Sequence, residues 1–164
     1  MYRLRRWVFE RSDNLAGAIY GTILVMSIIA AADFHANLWR SLAILLVTSA
    51  VFWIAHVYAH ALALSLDERE TFSRAEIGRV AGREWPLLQA AVVPSLVLLA
   101  GALGLLGTVT AYRIAIGYGA AALIWWGFAF ARKEHLSGKA TAVVVVVNAA
   151  FGIFIVLLKE LVSH

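Results

Sequence analysis

The sequence predicts an all-α polytopic membrane protein with five transmembrane helices, its N-terminus inside and its C-terminus outside. Hydrophobic residues make up 62% of the chain and charged residues only 15%, whereas soluble domains average roughly 45–50% and about 25%. The apolar residues form five long runs, which favour helices over the short alternating strands of a membrane barrel. Positive charges collect at the ends of those runs, as the orientation of membrane helices requires.

The five apolar runs define the predicted spans. They cover approximately residues 15–32, 41–66, 86–106, 109–131 and 140–158. The basic stretch before the first span is expected to lie along the inner membrane surface, and Asp13 can cap that span through its carboxylate. Between the second and third spans, the capping box Ser73-Arg74-Ala75-Glu76 predicts a short amphipathic cytoplasmic helix. Residues 1–164 are therefore expected to form a single membrane domain.

The orientation follows from the distribution of Lys and Arg. Eleven of the fourteen lie before the first span, between spans two and three, or between spans four and five. The other three are Arg40, Arg113 and Lys159. Because cytoplasmic loops carry the excess of positive charge, this distribution places the N-terminus inside. The net charge of +4 is read as a topology signal, and no nucleic-acid partner is expected.

The second span carries two histidines one helical turn apart. His56 and His60 lie on one face of a helix, and Ser49 and Trp53 extend the same stripe outward. An ionisable residue inside a membrane span is costly, so it is a functional-site hypothesis by default. The alternative is that these side chains only tie helices together by hydrogen bonds.

Two further polar residues are predicted to share the inner half of the membrane with these histidines. Asp13 lies at the inner end of the first span, and Asn148 lies about eight residues into the fifth, or ~12 Å at the helical rise. If the helices converge, these side chains form an inward-facing polar cluster. We therefore expect Asp13, His56, His60 and Asn148 to be the ligands of a transported ion.

The chemistry expected of this cluster is cation binding. The spacing of His56 and His60 suits a metal, and Asp13 is the candidate third ligand for a transported Fe²⁺, Mn²⁺ or Zn²⁺. Because imidazole changes its charge between about pH 5 and 8, the pair can also couple transport to protons. The chain has no cysteine, which excludes thiolate ligands and disulfides. No hydrolase, zinc-protease or phosphate-loop motif is present, so an enzyme is not expected, although an intramembrane enzyme stays a third possibility.

Local motifs resemble those of the vacuolar iron transporter family. Ser12-Asp13-Asn14-Leu15 is similar to the family's Asn-Asp-Gly-Leu element, whose Asp contributes to the metal path, and residues 86–107 and 127–138 resemble its third span and last loop. The resemblance implies five spans, dimeric assembly and, for Asp13, a place in the ion path. Where the family has a Gly-Glu-Tyr-like element, this chain reads His56-Val57-Tyr58-Ala59-His60, so histidine replaces a carboxylate.

The cytoplasmic segment also departs from the family. Iron-transporting members have a longer, Glu-rich metal-binding domain there. In this chain four glutamates alternate with four arginines, which would neutralise a cation trap. These residues are Glu68, Arg69, Glu70, Arg74, Glu76, Arg79, Arg83 and Glu84.

The sequence as a whole predicts a small transporter or channel-like protein. It is expected to move a divalent metal ion, a proton or both between spans one and two. It is expected to act as a homodimer in a lipid bilayer, in the cytoplasmic membrane of a bacterium. The alternative is a non-transporting assembly or scaffold protein whose histidines are structural.

Overall fold

The computed structural model describes the backbone of residues 2–32, 37–68 and 74–162, with side chains except those of 2–14, 64–68, 76, 160 and 162. All regular structure in these residues is helical, which confirms the all-α prediction. The helices are α1 (Tyr2–Ala31), α2 (Leu38–Glu68), α3 (Arg74–Arg83), α4 (Trp85–Gln89), α5 (Val92–Ala102), α6 (Thr108–Lys133) and α7 (Gly138–Val162).

Four segments of the described chain are long and apolar enough to cross a membrane. They are Leu38–Ala63, Trp85–Ala102, Thr108–Lys133 and Gly138–Lys159, and the apolar stretch Leu15–Ala31 of α1 is shorter. Large apolar side chains cover the outward faces of these helices, including Val146, Phe154 and Leu157 on α7. Soluble monomers rarely expose apolar surface on this scale. The chain is therefore an integral membrane protein.

Helix α1 is the centre of the bundle, in contact with α2, α3, α4, α6 and α7. One core cluster joins Val25 and Ile29 of α1 to α2, α5 and α6, and a second joins Met26 of α1 to Leu123 of α6 and Ile155 of α7. Because apolar residues recur on several faces of α1, it can bury side chains against several neighbours at once. Any cavity between helices at this centre is therefore lined in part by α1.

The N-terminal part of α1 differs from the prediction. The helix begins at Tyr2 and continues without a break through Asp13 to Ala31. The predicted cap at Asp13 is therefore wrong, because a residue in the middle of a helix has no unpaired backbone N–H groups to satisfy. Residues 2–12 contain neither Gly nor Pro, so nothing in the local sequence ends the helix at the membrane boundary.

The third predicted span is a broken helix. Helix α4 ends at Gln89, two residues form a turn, and α5 begins at Val92. Pro94 explains the break, because it has no N–H for the carbonyl of Ala90 four residues earlier and its ring crowds that carbonyl. The regular helical hydrogen bonds resume at the next residue, where the Ser95 N–H donates to the Ala91 carbonyl at 2.9 Å. The short α4 can therefore take its own direction beside α1.

The two ends of the bundle differ in charge. One end, called here the basic end, contains α3 and the connection between α6 and α7, with the basic residues Arg74, Arg79, Arg83, Arg132, Lys133 and Lys139. Helix α3 forms where a short helix was predicted, with Val80 buried and Arg79 exposed. At the opposite end, the Ser41 and Tyr112 hydroxyls are hydrogen-bonded at 2.6 Å, and the Lys159 amine donates to the Ala32 carbonyl at 2.6 Å. Gly104 adopts φ +79° in the turn between α5 and α6, which favours glycine.

Candidate functional site

A cavity of about 520 Å³ lies between α1, α2, α3 and α4 at the basic end. It is called here the histidine cavity. Its polar and aromatic lining consists of Tyr20, His56, His60, Arg83 and Glu84. Small side chains on α1, including Gly17, leave the space that these groups enclose. The structure thus brings both predicted histidines to one cavity, beside α1 as expected.

His60 is hydrogen-bonded to Glu84, one of the four glutamates in the cytoplasmic segment where arginines were expected to neutralise the acidic charge. The His60 Nδ1 and Glu84 Oε1 atoms lie 2.6 Å apart. The His60 side chain is 55% exposed, whereas that of Glu84 is only 8% exposed. A hydrogen bond to an ionised group is short and strong, so this contact fixes the imidazole while leaving its other nitrogen, Nε2, free to exchange a proton.

The chain connection between α3 and α4 explains the position of Glu84. Glu84 is the single residue between these helices, and its N–H donates to the Val80 carbonyl at 2.9 Å. Its side chain makes no capping hydrogen bond at the start of α4, although an acidic residue is favoured there. The carboxylate is turned instead toward His60 on α2.

His56 lies one turn deeper than His60. Its Nδ1 is 3.2 Å from the Phe52 carbonyl, and because a carbonyl only accepts, Nδ1 is the donor and Nε2 is the nitrogen that can take a proton or a metal. The ring is 4.9 Å from that of Tyr20 and 6.3 Å from that of His60, between centroids. One water can bridge groups at such a separation.

The predicted metal ligands do not form a complete set in the described part of the chain. No group of three His, Asp or Glu side chains lies close enough there to hold a metal ion. The Asp13 side chain lies outside the described residues, so its predicted ligand role stays a prediction. Arg83 also lines the cavity, and a guanidinium disfavours the entry of a divalent cation.

The stripe on α2 continues from the cavity into the bundle. The hydroxyl of Ser49 and the indole nitrogen of Trp53 are buried without a hydrogen-bond partner in the described chain. Trp53 packs edge-on against Trp85, with ring centroids 6.1 Å apart. Buried polar atoms are normally paired with protein or water. These two atoms therefore mark a polar line leading away from the histidines.

A second cavity shared by α1 and α2 lies toward the opposite end. It has a volume of about 260 Å³ and is lined by Ser41, Thr48 and Tyr112 among apolar side chains. Eight residues separate Thr48 from His56, which is about 12 Å along a helix. Val25 and Leu45, both almost fully buried, belong to the core at this level. The two cavities are thus separated by a short packed region that contains Ser49.

Asn148 does not join the histidines. Its Nδ2 donates to the Val144 carbonyl at 3.0 Å, and its side chain packs against Gly127 of α6. Its Oδ1 is buried without a partner among the described residues. Asn148 therefore lies at the contact between α6 and α7, where the predicted support of the histidines is not possible by direct contact.

Sequence reasoning missed Glu84 because it lies in a segment where glutamates and arginines alternate. A signal was present, since Glu84 directly precedes Trp85-Pro86 at the start of the third span. A proline suits the first turn of a helix, so Glu84 occupies the position where the chain re-enters the bundle. Its burial still depends on how α3 folds back against α2.

Comparison with protein-family models, with characterised proteins and with solved structures gave no significant match. The resemblance to the vacuolar iron transporter family therefore stays a prediction. What the fold and site define is an integral membrane protein with a polar cavity at its basic end.

Proposed function

We propose that this protein is a small transporter or channel-like protein that moves a cation along the α1–α2 interface, with the proton as the exchanged species. The observation that carries the proposal is the buried Glu84 carboxylate, bonded to the exposed His60 at the histidine cavity. A carboxylate and an imidazole in contact can share and pass on one proton.

The proposed topology has five spans, the N-terminus inside and the histidine cavity open to the cytoplasm. Four segments are long enough to cross a membrane by themselves, and α1 supplies a shorter apolar stretch extended by its basic N-terminal part. The excess of Lys and Arg at the basic end supports this orientation. The proposed location is the cytoplasmic membrane of a bacterium.

The proposed route begins at the exposed His60 Nε2. A proton taken up there reaches Glu84 through the 2.6 Å contact or His56 through a bridging water. The Ser49 hydroxyl continues the route, because it can both donate and accept a hydrogen bond, and the cavity at Ser41 and Thr48 supplies the opposite exit. The packed region around Ser49 separates the two cavities, so passage requires a change in helix packing.

Charge favours the proton over a divalent metal as the species moved. The lining of the histidine cavity includes the acidic Glu84 and the basic Arg83, while Tyr20, His56 and His60 are uncharged when the imidazoles are neutral. The formal charge of the lining is then zero, so a divalent cation gains little Coulomb energy there. A proton needs only one basic nitrogen, and both imidazoles offer one.

Flux in proteoliposomes tests the proposal. With a pH-sensitive dye inside and a potassium diffusion potential, wild type is expected to take up protons. The double variant His56→Ala with His60→Ala is expected to be slower by about a hundredfold, the lower end of what positioned proton-transfer groups contribute. His135→Asn is the matched control, because His135 is exposed outside the cavity and adopts φ 50°, which Asn tolerates.

The outcomes separate the alternatives. Wild-type flux in the double variant would contradict the route through the histidines. Uptake of Fe²⁺, Mn²⁺ or Zn²⁺ without proton uptake, lost in the same variant, would show that a metal is the species moved and overturn the proton assignment. Loss of flux in His135→Asn as well would show that the substitutions act on folding.

The second candidate function is a non-transporting assembly protein. The same contact between His60 and Glu84 ties α2 to the α3–α4 junction, which is also what a purely structural pair would do. This function predicts no flux in wild type and a loss of stability in the double variant.

Assembly as a homodimer belongs to the same proposal. Gly17 and Gly21 of α1 form a G-x-x-x-G motif, a pattern that often brings membrane helices together. Here both glycines approach Pro86 and Leu87 of the same chain, so the motif is not proposed as the dimer interface. A dimer must therefore use another surface. Light scattering of the purified protein is expected to give the mass of two chains, and the mass of one chain would contradict dimerisation.

A further inference from the structure

A groove of about 400 Å³ lies between α1, α4 and α6, on the other side of the α1–α4 contact from the histidine cavity. It is called here the lysine groove. Its wall is formed mainly by small and aromatic side chains, and Gln89 and Lys133 supply polar groups at the basic end. The residues used below are Thr22, Gln89, Tyr118, Trp126 and Lys133.

The Lys133 amine is the unusual feature of the groove. Its nitrogen is buried and has no hydrogen-bond partner in the described part of the chain. The neighbouring polar groups do not neutralise it: the Thr22 hydroxyl donates to the Ala18 carbonyl at 2.7 Å, and Gln89 is uncharged. No carboxylate is among the described groove residues. A buried cation without a counter-charge is costly, so an anion bound from outside would stabilise the Lys133 amine.

The neighbouring cation does not share this position. The Arg132 guanidinium lies over the Phe128 ring, 5.2 Å from its centroid, and Arg132 is exposed. Lys133 is therefore the one charged side chain among the described residues that line the groove.

The shape of the groove identifies the anion. Lys133, Trp126 and Tyr118 line it along α6, and the fifteen residue steps from Tyr118 to Lys133 correspond to about 22 Å along a helix. This length matches an acyl chain running from the membrane surface into the bilayer. Basic pockets between membrane helices bind the head groups of anionic lipids. A free phosphate would satisfy the amine but leave the apolar remainder unfilled.

We propose that the lysine groove binds one anionic phospholipid, its phosphate on the Lys133 amine and one acyl chain along Trp126 and Tyr118. The lipid supplies a counter-charge that the described groove residues do not offer and fills the space between α1, α4 and α6. The site is separate from the histidine cavity and does not depend on transport.

Thermal unfolding in detergent tests the head-group contact. The full chain is titrated with phosphatidylglycerol, phosphatidylcholine or glycerol phosphate, since a ligand of the folded state raises the unfolding temperature. Phosphatidylglycerol alone is expected to raise it. Lys133→Gln is expected to need about tenfold more of this lipid for the half-maximal rise, because a charge-assisted hydrogen bond is lost.

Two further variants are matched controls for that titration. Lys133→Arg keeps the charge, and Lys139→Gln removes an exposed charge near the same end of the bundle, so both are expected to respond like wild type. An unchanged response in Lys133→Gln would overturn the proposal. So would an equal response to phosphatidylcholine or to glycerol phosphate, or no response of wild type to any of them.

Fluorescence quenching tests the acyl-chain contact without changing Lys133. Lipids with brominated chains quench nearby tryptophans, and phosphatidylglycerol is expected to quench wild type more than phosphatidylcholine does. This excess should disappear in Trp126→Phe and persist in Trp125→Phe, because Trp125 is 62% exposed and lies outside the groove lining. An excess that survives in Trp126→Phe, or no excess in wild type, would overturn the proposal.

Discussion

The histidine cavity and the lysine groove lie side by side at the basic end, separated by the contact between α1 and α4. In the first, the buried carboxylate of Glu84 has a basic partner at 2.6 Å. In the second, the buried amine of Lys133 has no partner in the described chain. A paired site can exchange a proton internally, whereas an unpaired site must take its counter-charge from outside. The ligands proposed for the two sites differ for this reason.

The largest effect is expected from a substitution that disrupts the contact between α1 and α4, which separates the two sites. A Cβ on Gly21 would lie 2.5 Å from the Leu87 carbonyl oxygen and 2.9 Å from its Cα. Gly21→Ala is therefore expected to lower the free energy of unfolding by about 2 kcal/mol, as overpacking does. Both sites should be damaged together, which flux and lipid binding would report.

Gly117→Ala is the control for that substitution. A Cβ there meets nothing within 4 Å, so alanine should be neutral or stabilise the helix by up to about 1 kcal/mol. Denaturant unfolding in detergent measures both variants. Equal destabilisation would mean that the close contact between α1 and α4 is not what requires glycine at position 21.

Smaller changes in stability are expected when the paired charge of Glu84 or the unpaired charge of Lys133 is removed. Glu84→Gln is expected to cost about 1 kcal/mol, a modest value because the His60 side chain is 55% exposed. Lys133→Met is expected to be neutral or stabilising by up to about 1 kcal/mol in lipid-free detergent, since it removes a buried unpaired cation. Thermal unfolding of the two variants compares them directly. If Lys133→Met destabilised the protein and Glu84→Gln did not, Lys133 would be the paired charge and Glu84 the unpaired one, contrary to this account.

The smallest expected effect concerns the polar line beyond the histidines. Ser49→Ala removes a buried hydroxyl that has no partner in the described chain, so stability should change by less than about 1 kcal/mol. Proton flux should fall about fivefold, which corresponds to about 1 kcal/mol on the barrier. Unchanged flux in the proteoliposome assay would place the route away from Ser49.

The difference between the two sites also shows what the sequence can predict. The spacing of His56 and His60 on an apolar helix was sufficient to place both side chains at one cavity. The apolar runs predicted the four long membrane segments but not the start of α1 at Tyr2. Pro94 could have predicted the break at Ala90, since a proline four residues later removes that hydrogen bond.

The environments of Glu84 and Lys133 could not be predicted in this way. Both residues look like ordinary surface charges in the sequence, Glu84 among arginines and Lys133 in a basic loop. The burial of Glu84 depends on how α3 folds back against α2, and that of the Lys133 amine depends on how α6 packs beside α1. Both contacts join residues distant in the chain. Local patterns report the face of a helix but not which neighbour covers it.

Proton uptake by the single variant Glu84→Gln tests the central claim most directly. Wild type and variant are compared in proteoliposomes at the same protein density, pH step and membrane potential. Transport through the His60–Glu84 pair predicts uptake about a hundredfold slower in the variant, because glutamine hydrogen-bonds but cannot ionise. Equal rates in two folded proteins would contradict a role for this pair in proton movement.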